Sequence, residues 1–307
     1  MLMKFLRSLF FLLLIAGISK AQPPGSKKLN PNPKAQGVLP NPQLISKKGE
    51  PYLPEAKDCG LTVDATPFLE YLGKLLSGTG STAPTAAFPA NFPMTITAKY
   101  FKTPEEAYRF RARVGTLSQT YRNTVIDNAQ TAADTLYTTD SKRVRGTNIT
   151  LSGGFEKRRG KTRLQGYYGA EAVLSFASSS VEYTYGNAFT NTQTSVYTTD
   201  FDQPSATGFA SSLKSNRPGA TKDGSVVGLG ARAFGGIEYF ILPKISLGIE
   251  LGWGITYKIG NDGFVRNEYW DNVGGSTRQR QITKSGGTYL GIDTDNSGGQ
   301  LLLNLYF

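Results

Sequence analysis

Arg109, Arg111 and Arg113 stand at alternate positions, which puts three guanidinium groups on one face of an extended strand. Such a row either pairs with carboxylates in a buried network or lines a path for anions. Carboxylates are available at matching alternate positions elsewhere: Asp64, Glu156, Glu171, Glu238 and Glu250. Catalysis is harder to build. The 307 residues include no histidine. That removes histidine general bases, Ser-His-Asp triads and histidine metal sites. A Ser-Lys or carboxylate-only mechanism is all that remains on paper, so neither an enzyme nor a cofactor is expected. The acidic turns Asp293-Thr294-Asp295-Asn296 and Asp200 with Asp202 lack the full spacing of a calcium loop and read as surface turns. The single cysteine, Cys59, rules out an intramolecular disulfide. The net charge of +11 raises the question of nucleic acid. No basic helix or stacking motif supports it, and the export signal described below argues against it.

The elements that hold these residues read as strands. From Ile245 to Tyr257, Ile245, Leu247, Ile249, Leu251, Trp253, Ile255 and Tyr257 fall on one face, while Ser246, Gly248, Glu250, Gly252, Gly254, Thr256 and then Lys258 fall on the other. A helix would scatter them around its circumference. The same rhythm runs through 227–239, with Arg232 and Glu238 on the polar face, and through 163–176, with Arg163 and Glu171 there. It recurs in 148–156, in 107–117, and in 94–100 with Lys99. A first strand over 60–70 is expected too. Pro67 interrupts it, and a short helix carrying Phe68, Leu72, Leu75 and Leu76 is the alternative.

The polar faces collect Lys99, Arg109, Arg111, Arg113, Arg163, Arg232 and Lys258 against Glu171, Glu238 and Glu250. Buried charges must be paired and hydrogen-bonded. A ladder of ion pairs is therefore one expectation, and an anion path past the three arginines is the other.

The N-terminus carries Lys4 and Arg7, an apolar run from Leu9 to Ile18, and small residues at Ser19 and Ala21. That is the pattern of a secretory signal over 1–21. Residues 22–58 hold eight prolines and the pairs Lys27-Lys28 and Lys47-Lys48. Proline removes amide donors and fixes φ, so a disordered, extended tail or linker is expected there. The remainder, 59–307, is the folded domain. Past the signal no apolar run is long enough for a helical span.

The last segment places Leu301, Leu303, Leu305 and the terminal Phe307 on one face. Eight alternating segments result. Short turns at 103–106, 157–161 and 242–244 alternate with long connections at 73–91, 125–146, 187–224 and 259–295, rich mostly in Gly, Ser, Thr and Asn. Short turns on one side with long loops on the other are the habit of membrane barrels. A soluble sandwich also reaches eight strands, without that alternation. Tyr100, Phe101, Tyr108, Phe110, Tyr239 and Phe240 flank the short turns, where a barrel carries an interfacial belt of aromatic residues.

Residues 59–307 resemble the small eight-stranded outer-membrane β-barrels such as the OmpA transmembrane domain and OmpX. The Pro/Lys-rich leader and Tyr/Gly-rich strands are similar to the outer-membrane β-barrel proteins of Bacteroidota. The resemblance implies an all-β, eight-stranded antiparallel up-and-down barrel in the outer membrane of a Gram-negative bacterium. It implies that Leu301, Leu303, Leu305 and Phe307 are read by the barrel assembly machinery. Outer-membrane lipid and lipopolysaccharide are then the expected surroundings. The expected role is a non-enzymatic anchor or interaction module, reaching a periplasmic or envelope partner through 22–58. A small pore for ions or anionic solutes is the alternative.

Overall fold

The computed structural model describes residues 44–64, 95–129, 136–205, 208–293 and 300–307. The signal segment, residues 22–43 of the tail, and the segment around Pro67 lie outside them.

The described residues form thirteen strands: β1 (Cys59–Asp64), β2 (Thr95–Thr103), β3 (Glu106–Ile126), β4 (Tyr137–Arg159), β5 (Leu164–Thr184), β6 (Val196–Ser205), β7 (Gly208–Lys214), β8 (Asn216–Leu242), β9 (Ile245–Gly260), β10 (Gly263–Asp271), β11 (Ser276–Lys284), β12 (Thr288–Asp293) and β13 (Gln300–Tyr306). The protein is all-β, and every strand pairing among the described residues is antiparallel. Eleven strands share one sheet, in the order β11-β10-β8-β5-β4-β3-β2-β1-β13-β9-β12, and β6 and β7 form a second. The expected count of eight was too low. β8 also pairs with β9. Followed from β1, the pairings run through β2, β3, β4, β5, β8, β9 and β13 and return to β1.

The connections expected to be loops account for the difference. Residues 187–224 hold β6, β7 and the start of β8, while 259–295 hold β10, β11 and β12. Much of 125–146 belongs to the ends of β3 and β4. Ser, Thr, Asn and Gly interrupt the apolar alternation in these stretches, so most of it is lost as a mark of strands.

Two short turns fall where the sequence places them, at Pro104-Glu105 and Pro243-Lys244. In the second, proline precedes Lys244 at φ 61, the two-residue arrangement that a type II turn requires. The third turn spans 160–163 instead of 157–161, because β4 continues to Arg159.

The faces are inverted relative to a water-soluble core. Leu251, Trp253, Leu229, Ile237, Tyr108, Phe110 and Phe155 are exposed, while Lys99, Arg109, Glu156, Glu171, Arg232, Glu238 and Glu250 are buried.

Part of the proline-rich segment is ordered, contrary to expectation. Leu44–Asp58 folds back on itself through an Ile45–Pro51 bridge, and the Tyr52 amide donates to the Leu44 carbonyl at 2.9 Å. Tyr52 and Leu53 pack on Phe101, Ala107, Phe240 and Tyr306. The Lys57 amide donates to the Phe101 carbonyl at 2.7 Å, and the Lys244 amide to the Tyr52 carbonyl at 3.1 Å. Proline excludes this segment from a helix or central strand, but its remaining amides still find partners on strand ends.

At the opposite end, the β6–β7 hairpin contacts the long strands. Phe209 packs edge-on against Tyr121 at 6.1 Å between centroids, and Phe201 lies 6.1 Å from Tyr183. The Asp140 carboxylate is fully buried and accepts from the Gly186 amide at 3.0 Å and the Thr199 amide at 2.8 Å. Removing it leaves both amides without that acceptor, at about 1–3 kcal/mol each if they stay buried. Asp140→Ala should therefore free the hairpin locally. Hydrogen exchange at Thr199 and Gly186 should rise by orders of magnitude while β5 and β8 near Arg232 keep their protection. Unchanged exchange would refute the role.

Candidate functional site: a buried charge cluster

Five cations and four carboxylates converge on the buried face. β2 supplies Lys99, β3 supplies Arg109 and Arg111, β4 supplies Glu156 and Arg158, and β5 supplies Glu171. β8 brings Arg232 and Glu238, and β9 brings Glu250. Each projects inward because it shares its strand parity with other buried residues. Glu250 is the hub. Arg109 donates to both its oxygens, at 2.7 and 2.9 Å, in a bidentate fork. Arg111 reaches it at 2.8 Å and Arg232 at 3.0 Å. Glu171 lies 2.8 Å from Arg109 Nε and 3.4 Å from Arg232 Nη1, and accepts from Ser152 at 3.1 Å. Lys99 Nζ sits 2.8 Å from Glu156, which Arg109 also approaches at 3.4 Å.

A second centre forms around Glu238. It pairs with Arg158 and accepts from the Tyr306 hydroxyl at 2.8 Å, Ser246 at 3.1 Å and Asn304 at 3.2 Å. Thr62 completes the chain by donating to Asn304 at 2.6 Å. Aromatic rings fill the remaining space. Arg109 lies 4.2 Å from the Phe234 centroid, Lys99 4.9 Å from Tyr167, and Arg158 5.2 Å from Phe101. Rings attract such cations through their negative faces. The cavity between Arg109, Arg111, Glu250, Thr62 and Leu302 measures about 10 Å³, the space of a single water.

The expected inward residues divide. Lys99, Arg109, Arg111, Glu171, Arg232, Glu238 and Glu250 meet in the cluster. Arg113, Arg163 and Lys258 do not. Arg113 pairs with Thr95 at the start of β2 and is exposed, lining an open cavity of about 400 Å³ beyond the cluster. Arg163 lies in the bend before β5, its guanidinium 3.8 Å from the Tyr52 ring centroid. Lys258 is half-buried, 5.8 Å from the Tyr289 ring centroid. Of the terminal residues, Leu301 and Leu303 are half-buried, whereas Leu305 and Phe307 are exposed.

The sequence places Arg158 in a turn and Phe101 and Phe240 in an outer aromatic belt. All three are buried instead. A signal for this exists: Arg158 shares parity with Glu156, Phe101 with Lys99, and Phe240 with Glu238. Asp200 and Asp202, expected in a surface turn, lie in β6 instead, Asp200 3.3 Å from Lys214 and Asp202 2.9 Å from Lys142; residues 294–296 of the other acidic candidate lie outside the described residues. Away from the cluster, burial raises the Tyr185 phenol above its usual pKa against the opposing charge of Arg217, 4.3 Å from its ring centroid.

No protein-family model matches the chain, and a search of curated proteins finds no match either.

Proposed function

We propose that β1–β5, β8, β9 and β13 form a closed eight-stranded barrel spanning a bacterial outer membrane, and that the protein acts there as a non-enzymatic anchor and interaction module. The observation that carries this reading is the inversion of the faces. Contiguous exposed apolar rows need an apolar solvent, and a barrel interior of this width is filled by side chains. Lipid outside and ion pairs inside satisfy both faces at once.

The interior favours a plug over a pore. The Glu250 hub occupies the middle, and Phe101, Phe240 and Tyr306 with Leu44–Asp58 cover one end. The strands also exceed what a bilayer needs. β3, β4, β5 and β8 run 21–27 residues, against about 9–11 for a spanning strand. The surplus, extended by β10–β11 and packed by β6–β7, stands clear of the membrane as a surface for partners. Residues 22–43 would leave from the capped, periplasmic end and reach an envelope complex.

The purified protein should insert into planar bilayers without stepwise conductance. It should also co-purify from membranes with a partner that is lost when residues 22–43 are deleted. That deletion spares the ordered cap and so leaves the barrel intact. Single-channel currents abolished by Arg111→Glu would replace the module with a pore for anions.

A further inference from the structure

The sheet branches at the end of β9 that lies away from the Leu44–Asp58 cap. β13 pairs with β9 from Ile245 to Glu250, and β12 takes up the same edge from Gly254 to Ile259. On the other edge, β8 pairs with β9 as far as Val226 and Gly260, then with β10 from Lys222 and Phe264 onward. The chain joining β11 to β12 crosses this branch point at 285–287. A Cβ on Gly286 would lie 2.0 Å from the Gly260 carbonyl oxygen, an approach that only glycine permits. The branching leaves an open cavity of about 430 Å³, bordered by Asp223, Lys258, Asn261, Lys284, Ser285 and Tyr289. That volume is in the range of small-molecule sites.

Lys258 and Tyr289 pair across β9 and β12, so they share a face, the one that carries Glu250. The Tyr289 ring leans along its own strand over Gly291, where a Cβ would stand 2.5 Å from Cε1. One side of the ring is thus set against β12, yet the residue is 61% exposed and lines the cavity. It forms an open aromatic platform. Lys258 Nζ stands 5.8 Å from the ring centroid. Among the described residues Lys258 makes no ion pair, whereas Lys284 is held by Asp223 at 3.0 Å.

We propose that this cavity binds an acidic sugar, with its carboxylate on Lys258 and its pyranose ring on Tyr289. An ammonium alone would take any anion, and an aromatic ring alone any apolar surface. A free cation beside an open ring selects a molecule that carries both features close together. The C–H bonds on a pyranose face carry partial positive charge and meet the negative face of an aromatic ring. The sugar hydroxyls need donors and acceptors, which Asp223, Asn261 and Ser285 supply at the cavity wall. A uronate provides all three, its carboxylate attached directly to the ring. The Glu250 hub stands between this cavity and the capped end, so a sugar bound here is held and not passed on. The site needs only the strands around it, whether or not the sheet spans a membrane.

The full chain in non-ionic detergent would be titrated with trigalacturonate, and separately with its fully methyl-esterified form, by isothermal titration calorimetry. The parent should bind the acid about tenfold more tightly than the ester. Lys258→Gln should abolish that preference by weakening the acid alone. Tyr289→Ala should weaken both about fivefold. Gly287→Leu should block both, because it adds a side chain at a position that lines the cavity and where a Cβ meets no atom within 4 Å. It disturbs no packed group, so it keeps the test decisive if circular dichroism shows that another variant fails to fold. No saturable binding by the parent, equal affinity for acid and ester, or a preference that survives Lys258→Gln overturns the proposal. Unchanged binding by Tyr289→Ala or by Gly287→Leu overturns it too. No bilayer enters the titration. Loss of the sugar site therefore leaves the membrane reading standing, and a protein that fails to insert into vesicles leaves the sugar site standing.

Discussion

Glu250→Leu is expected to destabilise the folded protein by about 3–5 kcal/mol, the cost of breaking a buried ion pair by removing one partner. The change leaves Arg109 and Arg232 buried, and Arg111 nearly so, without the carboxylate they share. Glu250→Gln should cost less, because an amide oxygen still accepts one hydrogen bond. Arg109→Met combined with Glu250→Leu should recover only part of the loss. Arg111 and Arg232 would still face the emptied position, and residues in one network do not add. Urea unfolding of the protein in lipid vesicles, followed by tryptophan fluorescence, measures all three. A loss under about 0.5 kcal/mol for Glu250→Leu, ordinary for a surface position, would show that the cluster contributes little to stability.

The next residue along the chain should obey the opposite rule. Leu251 is 60% exposed and sits within the apolar face of β9. In water, Leu251→Arg would be close to neutral. In a bilayer a cation at mid-depth on the lipid face costs about 2–4 kcal/mol, falling to about 0–1 kcal/mol near the interface. Leu251→Arg should therefore weaken folding in vesicles strongly, while Ser118→Arg, beyond the apolar rows, should not. The two positions serve as the deep and shallow points of one comparison. Equal stability of the two variants in vesicles would remove the lipid from the account, and the inverted faces would need another apolar cover.

These paired expectations, charge removal costly at one position and charge addition costly at the next, express the strand's two-residue repeat. That repeat was readable in the chain. Alternation is a covalent property of extended backbone, so the parity of Lys99, Arg109, Glu171, Arg232, Glu238 and Glu250 assigned them to one face with no knowledge of their partners. The short turns were equally local, marked by Pro104 and by Pro243 before Lys244. The longer reach of the strands was not readable. Past the apolar rows, Ser, Thr, Asn and Gly occupy both faces, and β11 is exposed at all nine positions, so no pattern distinguishes strand from loop.

Partner choice belonged to the tertiary structure alone. Glu250 and Arg109 are 141 residues apart, and whether they meet depends on the stagger of strands that are not neighbours. The same stagger leaves Arg113 beyond the cluster, opposite the start of β2, and brings Arg158 into it. The docking of Leu44–Asp58 is a further case. Its prolines state what the segment cannot form, while its place under Phe101 and Tyr306 depends on strand ends that come together only when the sheet has paired. Face is decided within one strand, and contact is decided by how many strands are registered against one another.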